Sequence, residues 1–216
     1  MEVKDISEAV RKGTTTVGLI CSDGVVLGAD SRATLGDFIG SDAAIKLHKI
    51  DDGLGVLFAG VAGYAEYVVK LLRVQSELYK MSEGKPMSPS AAASLLGFIL
   101  RESVSEMGYA FLIVGGLNRG NPELISLDAI GSAQKEAKYT SIGSGMGSAL
   151  GYLDSSYTAN MNTSEGVKHA VKALQAAMKR SSATGGAMRI AIIGKKGFKE
   201  LSKEEIEKLL KVPAQA

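Results

Sequence analysis

What this 216-residue chain has little of removes several classes of function. It carries one cysteine, Cys21, so no internal disulfide can form, and its two histidines, His48 and His169, stand at unrelated positions, so no zinc ligand set can be drawn. Cys21 falls in an apolar alternating run, where an inert buried thiol in a reducing compartment is the expectation. Proline occurs 4 times against 26 glycines, which argues against a Pro-rich linker protein. The formal net charge is only +2 and the lysines are scattered, so neither nucleic acid nor an anionic membrane is an expected partner. No apolar run approaches the length of a membrane span. Residues 1–13 mix Glu2, Asp5 and Glu8 with Lys4, Arg11 and Lys12 around no apolar stretch, which excludes a secretory signal and leaves a cytoplasmic location as the expectation.

What is present suffices for one domain. With 45% hydrophobic residues the chain can bury a sizeable core, and neither an internal repeat nor a domain boundary is visible. Strands are expected at 15–21 and 25–29 around Ser22-Asp23-Gly24, and at 46–50 and 55–59 around Asp51-Asp52-Gly53. A long helix is expected on the spacing of Tyr64, Tyr67, Val68, Leu71, Val74 and Leu78, and a second from Ser88-Pro89 along Ala92, Leu95, Leu96 and Ile99. Strands at 109–114, 124–127 and 139–142, helices at 147–157 and 163–180, and a strand at 188–193 follow. The tail, 195–211, alternates basic and acidic residues and reads as a solvated helix with Ile206, Leu209 and Leu210 on one face. Antiparallel hairpins and paired helices together suggest an α+β fold, two stacked sheets covered by helices on both faces.

The chemistry-bearing feature is the junction Gly13-Thr14-Thr15-Thr16-Val17-Gly18, followed by Asp30 and Lys46. A threonine hydroxyl is a poor nucleophile until a base takes its proton, and the same residue's free α-amine, titrating near pH 8, can be that base. Cleavage after Gly13 would create that amine, with Thr14 attacking the carbonyl before it; residues 1–13 are then a propeptide. A threonine run is equally the start of a β-strand, and on its own it does not decide between the two. His48 shares a strand face with Lys46 but has no identifiable partner, and His169 lies off its helix's apolar stripe, on the solvent side. Gly143-Ser144-Gly145-Met146-Gly147 lacks the lysine and spacing of a phosphate loop and reads as a tight turn.

Taken with Gly28-Ala29-Asp30-Ser31-Arg32-Ala33-Thr34, Lys46-Leu47, Ala59-Gly60, Ile142-Gly143-Ser144-Gly145 and Ser182-Ala183-Thr184-Gly185-Gly186, that junction resembles the archaeal-type proteasome β subunits, N-terminal-nucleophile threonine proteases. The resemblance runs from Thr14 to about Gly194. It implies a four-layer α-β-β-α sandwich over residues 14–216, with Thr14 as nucleophile and base, Lys46 lowering the hydroxyl's pKa, Asp30 holding Lys46 by an ion pair, and Gly60 offering its N–H to the oxyanion. Ser144 and Thr184 would surround the new amine. Ala33, Thr34, Phe58 and Ala62 would line the first specificity pocket, an apolar set favouring cleavage after hydrophobic residues. It implies no cofactor and no metal. The implied partners are heptameric β rings of one or two subunit types, α rings, an ATP-driven unfoldase and unfolded polypeptides. The family's usual aspartate before the Ser-Ala-Ser/Thr-Gly-Gly block is Ser181 here, which favours a rival reading as an unprocessed structural β subunit. A bacterial-type two-ring protease shares the Gly-Ala-Asp-Ser-Arg-Ala-Thr-Leu-Gly sequence, but the longer leader and the Ser-Ala-Thr-Gly-Gly block weigh against it.

Overall fold

A computed structural model describes residues 13–103 and 109–211; the proposed propeptide, up to residue 12, lies outside them. Two five-stranded antiparallel sheets form the centre. In the first, β1 (Thr15–Cys21) and β2 (Gly24–Asp30) make the expected hairpin. In the second, β5 (Leu47–Asp51) and β6 (Leu54–Gly60) make another. Between them in sequence, β3 (Ala33–Leu35) and β4 (Phe38–Ser41) form a separate ribbon. The second sheet continues as β7 (Ala110–Asn118), β8 (Asn121–Leu127) and β9 (Ala133–Glu136), in the order β5-β6-β7-β8-β9. Arg119 and Gly120 join β7 to β8 with φ of 52° and 85°, the doubly left-handed turn whose twist suits a two-residue hairpin. The first sheet is completed by β10 (Tyr139–Gly143), β11 (Met188–Gly194) and β12 (Gly197–Glu200), in the order β10-β1-β2-β11-β12.

Both faces of each sheet are covered, so β2 is buried along its whole length. Val25, Leu27 and Ala29 of β2 meet Leu57, Ile113 and Leu124 between the sheets. On the outer side, Val17, Leu19, Cys21 and Val26 pack under α3 (Met146–Ser156) and α4 (Thr163–Met178). The second sheet turns Val56, Phe58, Leu112 and Val114 towards α1 (Ala62–Glu83) and α2 (Pro89–Ser103). This is the four-layer α-β-β-α arrangement expected. Close approach of the sheets explains Gly18, where a Cβ would lie 2.7 Å from Leu124. An Asn162–Glu165 capping box fixes the start of α4.

Three sequence readings need correction. Helix α1 buries Tyr64, Ala65, Val68, Val69, Leu72 and Ser76, while Tyr67, Val74 and Leu78 are exposed. The contact face is built partly from small residues, so the larger apolar side chains marked the wrong stripe. The tail begins as strand β12, paired with β11, before α5 (Lys203–Lys211). Ile206 is buried as expected; the side chains of Leu209 and Leu210 lie outside the described ones. Lys46 directly precedes β5 rather than opening it, although its carbonyl still accepts from Phe58 N–H at 3.2 Å.

Leu27, fully buried between the sheets, sets the scale of this packing. Leu27→Ala should cost about 2–5 kcal/mol in urea unfolding of the unassembled subunit. Leu35→Ala, on the exposed β3–β4 ribbon, should stay within about 0.5 kcal/mol.

Candidate active site

The candidate residues converge because they sit at the same end of both sheets. Thr14 immediately precedes β1, Asp30 ends β2, Gly143 ends β10 opposite Thr15, and Lys46 reaches across from the entrance to β5. Asp30 is completely buried and each carboxylate oxygen takes two donors. Oδ1 accepts from Thr15 N–H at 2.8 Å and Lys46 Nζ at 2.7 Å. Oδ2 accepts from Arg32 N–H at 3.2 Å and Gly185 N–H at 2.9 Å. One carboxylate thus ties the neighbour of Thr14, the lysine and the Ser-Ala-Thr-Gly-Gly turn to a single point. Lys46 also donates to the Arg32 carbonyl at 2.5 Å, and its side chain is 3% exposed. Burial pushes the Lys46 ammonium below its ordinary value; Asp30 opposes this by charge and hydrogen bond, and Arg32 adds to it. An ammonium so placed is a positive charge that water screens poorly.

Thr14 itself is 4% exposed and held at φ 133°, with Gly13 before it at φ 43°. Positive φ at a non-glycine residue costs on the order of 1–3 kcal/mol and persists only where the surroundings impose it. Here they do. Ser144 donates to the Thr14 carbonyl through its N–H at 2.7 Å and through its hydroxyl at 3.3 Å. Gly143, at φ 105°, has to be glycine, because a Cβ there would collide with that same carbonyl oxygen. Ser144 Oγ lies 2.9 Å from Ser181 Oγ and 3.2 Å from Thr184 Oγ1, and Thr184 Oγ1 lies 2.7 Å from Thr15 Oγ1. A cavity of about 630 Å3, lined by residues 143–148 and 180–183, borders Ser144 and Ser181.

Gly60 ends β6 opposite Ala110, at φ 138°, where a Cβ would stand 2.5 Å from the Tyr109 carbonyl oxygen. The four pocket candidates are less uniform. Ala33 and Thr34 are half-buried and Ala62 is exposed, whereas Phe58 is buried within the core under α1 and α2. Its ring stacks on His48 at a centroid distance of 5.7 Å. A cavity of about 430 Å3 beside His48 is lined by Ile45, Glu66 and Arg73 among others, and by none of the four candidates.

His48 joins neither Asp30 nor Thr14. Burial first, then the Arg73 charge, pushes its pKa down to about 4, and Nε2 has no hydrogen-bond partner among the described residues. His169 is half-buried rather than solvent-facing, with Nδ1 3.0 Å from Tyr152 Oη. Sequence reasoning missed Thr15, whose hydroxyl is read in a strand-forming run as β propensity, and the Gly185 N–H, a backbone donor that only the fold can aim. It also missed Arg32 as a clamp: the guanidinium reaches Asp42 at 2.9 Å and the Ser182 carbonyl at 3.1 Å. No cluster of potential metal ligands occurs among the described residues.

The His48 shift makes stability depend on pH. The folded protein keeps the ring neutral down to about pH 4, while the unfolded chain takes up its proton near 6.5, so stability falls as pH drops through that window. His48→Gln should therefore lose less stability than the wild type between neutral pH and pH ~4.5, by roughly 2 kcal/mol. Thermal or urea unfolding at the two pH values measures it.

Comparison with known proteins fits this geometry. A family model described as "Proteasome subunit" matches residues 10–193. A proteasome subunit beta of Methanocaldococcus vulcanius is 45% identical over 200 residues, covering 92% of this chain and 90% of that one. Proteasome subunit beta 2 of Pyrococcus furiosus is 43% identical, covering 93% and 96%. Proteasome subunit beta of Archaeoglobus profundus is 39% identical over 206 residues, covering 95% and 96%. These matches run along nearly the whole chain, and the protein belongs to the proteasome family as a 20S β subunit.

Proposed function

We propose that this β subunit, a protease of the N-terminal-nucleophile type that assembles into barrel rings with α subunits, is a threonine endopeptidase whose nucleophile is Thr14. The observation carrying the proposal is the shared Asp30 Oδ1, which gives Thr15 N–H and Lys46 Nζ one acceptor and so sets a buried ammonium beside the Thr14–Thr15 backbone. Thr14 Oγ1 is committed to no hydrogen-bond partner among the described residues, and Lys46 has one N–H left after serving Asp30 and Arg32.

Maturation begins when Thr14 Oγ attacks the Gly13 carbonyl. The C–N bond breaks as the new C–O bond forms, and the hydroxyl proton ends on the departing nitrogen, giving an ester and a free α-amine. Water hydrolyses the ester and releases residues 1–13 as a carboxylate-ended peptide. The strained φ of Thr14 favours the reaction, since cleavage detaches the Gly13 carbonyl carbon that defines this angle. In the mature enzyme the amine takes the hydroxyl proton, Oγ attacks a substrate carbonyl, and Gly60 N–H receives the developing oxyanion. Lys46 stabilises the alkoxide by charge. The leaving amine takes the proton back, and water entering beside Ser144 hydrolyses the acyl-enzyme.

The substrates are unfolded polypeptides in the cytoplasm, delivered by an ATP-driven unfoldase. Assembly into rings is supported by apolar side chains exposed on the isolated subunit, such as Tyr67, Val74, Leu78 and Phe98, which fit burial between subunits. The rival reading, a structural subunit that keeps its leader, is separated by one measurement. Intact mass of particles assembled with α subunits should show a chain starting at Thr14; a chain still carrying the leader supports the rival.

Thr14→Ala and Lys46→Ala should each abolish hydrolysis of a fluorogenic peptide with a hydrophobic P1 residue while particles still assemble. Because the two act as one unit, the double variant should be no slower than either single one. Substantial turnover by Thr14→Ala particles would place the nucleophile elsewhere.

A further inference from the structure

The cavity of about 630 Å3 that borders Ser144 is lined by four serines, three glycines, Met146, Ala183 and a single charged residue, Arg180. Its size falls within the roughly 300–1,000 Å3 of ordinary ligand sites, room enough for a short stretch of peptide. Arg180 is exposed, and its guanidinium forms no ion pair or hydrogen bond among the described residues. No acidic side chain lines the cavity, and none lies in the first turn of α3, which starts at its wall. The positive charge there is therefore uncompensated. A Cβ on Gly13 would lie 2.7 Å from Thr34 Oγ1 on β3 and 3.4 Å from the Ala183 carbonyl oxygen at the cavity rim. The residue whose carbonyl Thr14 would attack thus stands between β3 and the cavity.

We propose that this cavity receives the first residues after the cut, and that Arg180 makes it select an acidic side chain there. The proposal rests on the reading of Thr14 as nucleophile, whose chemistry decides which half of a substrate goes to which side. The acyl half, esterified to Thr14 Oγ, belongs with Ala33 and Thr34. In acylation the Thr14 amine passes the hydroxyl proton to the departing nitrogen as the C–N bond breaks. In hydrolysis a water gives a proton to that amine as its oxygen bonds the carbonyl carbon, and the amine returns it to Thr14 Oγ as the ester breaks. The second step is the first run backwards with water in place of the amine, so the attacking water and the departing nitrogen occupy one place. That place is beside Ser144, at the mouth of the cavity. A peptide continuing beyond the departing nitrogen enters the cavity and brings its first side chain among serine hydroxyls and one unpaired guanidinium. An aspartate or glutamate gains a charge-assisted hydrogen bond from Arg180, whereas a lysine meets a like charge. Arg180 is thus a specificity-determining residue on the side of the cut away from Ala33 and Thr34.

The test uses particles assembled with α subunits and internally quenched peptides that are identical except for Asp, Ala or Lys as the first residue after the cut. In the wild type, kcat/KM at low salt should favour Asp over Lys by about two- to five-fold, the range of an exposed ion pair, with Ala between them. The preference should shrink at high salt, because the guanidinium is open to solvent. Arg180→Ala should bring the Asp-to-Lys ratio to about one, Arg180→Glu should invert it and Arg180→Lys should keep its direction. A wild type with no preference for Asp, a preference untouched by salt, or one that survives in Arg180→Ala overturns the proposal while leaving Thr14 as nucleophile. Wild-type particles that cut no peptide of the series and keep the leader overturn the nucleophile reading itself.

Discussion

A carboxylate buried without any exposure has to be paired on every side, and Asp30 is the point on which the rest of this structure depends. Its two oxygens take four donors from four separate stretches of chain: the start of β1, the turn after β2, the residue before β5 and the turn before β11. Each donor fixes one piece of chemistry. Thr15 N–H sets the backbone that carries Thr14, Lys46 supplies the charge, and Gly185 N–H anchors the turn that presents Thr184 and Ser181. Removing the charge from Asp30 would leave Lys46 as a buried cation without its counterion, a change that costs about 3–5 kcal/mol in comparable settings. The pair specifies a geometry more than it stabilises a fold.

The layered architecture is what makes such a site possible. Two sheets packed face to face leave their strand ends in register, and the hydrocarbon between them, Leu27, Leu57, Ile113 and Leu124, keeps those ends from moving. A lysine at the entrance to one sheet can then meet an aspartate at the end of the other at 2.7 Å. The strain at Thr14 has the same origin, since Ser144 and Gly143 hold its carbonyl from β10 while Asp30 holds the next amide from β2. In the proposed self-cleavage, that strain would lie beside the bond that is cut.

Strand pairs with glycine-containing turns were legible before any coordinates, as were the paired helices, because short-range periodicity and turn chemistry decide them. The α1 stripe was not. Its buried face uses Ala65 and Ser76, while Val74 and Leu78 point outward, and nothing local tells an apolar side chain buried in the subunit from one left for an assembly. Strand β12 was hidden by charge alternation in Lys199 and Glu200, side chains that sit on an edge strand and need no core. Among the site residues, Asp30 and Lys46 could be named through the family resemblance, whereas Thr15 and the Gly185 amide acquire their roles from which way a strand face and a turn happen to point.

The isosteric Asp30→Asn variant tests the central claim most directly, because it keeps shape and removes the charge that holds Lys46. Turnover of a fluorogenic peptide by assembled particles of this variant should fall by a factor of about 10²–10⁴, with the leader still attached to much of the population. Asp30→Asn particles that are fully processed and turn over within about two-fold of the wild type would contradict the account, for then the buried ion pair would be a structural tie with no part in activating Thr14.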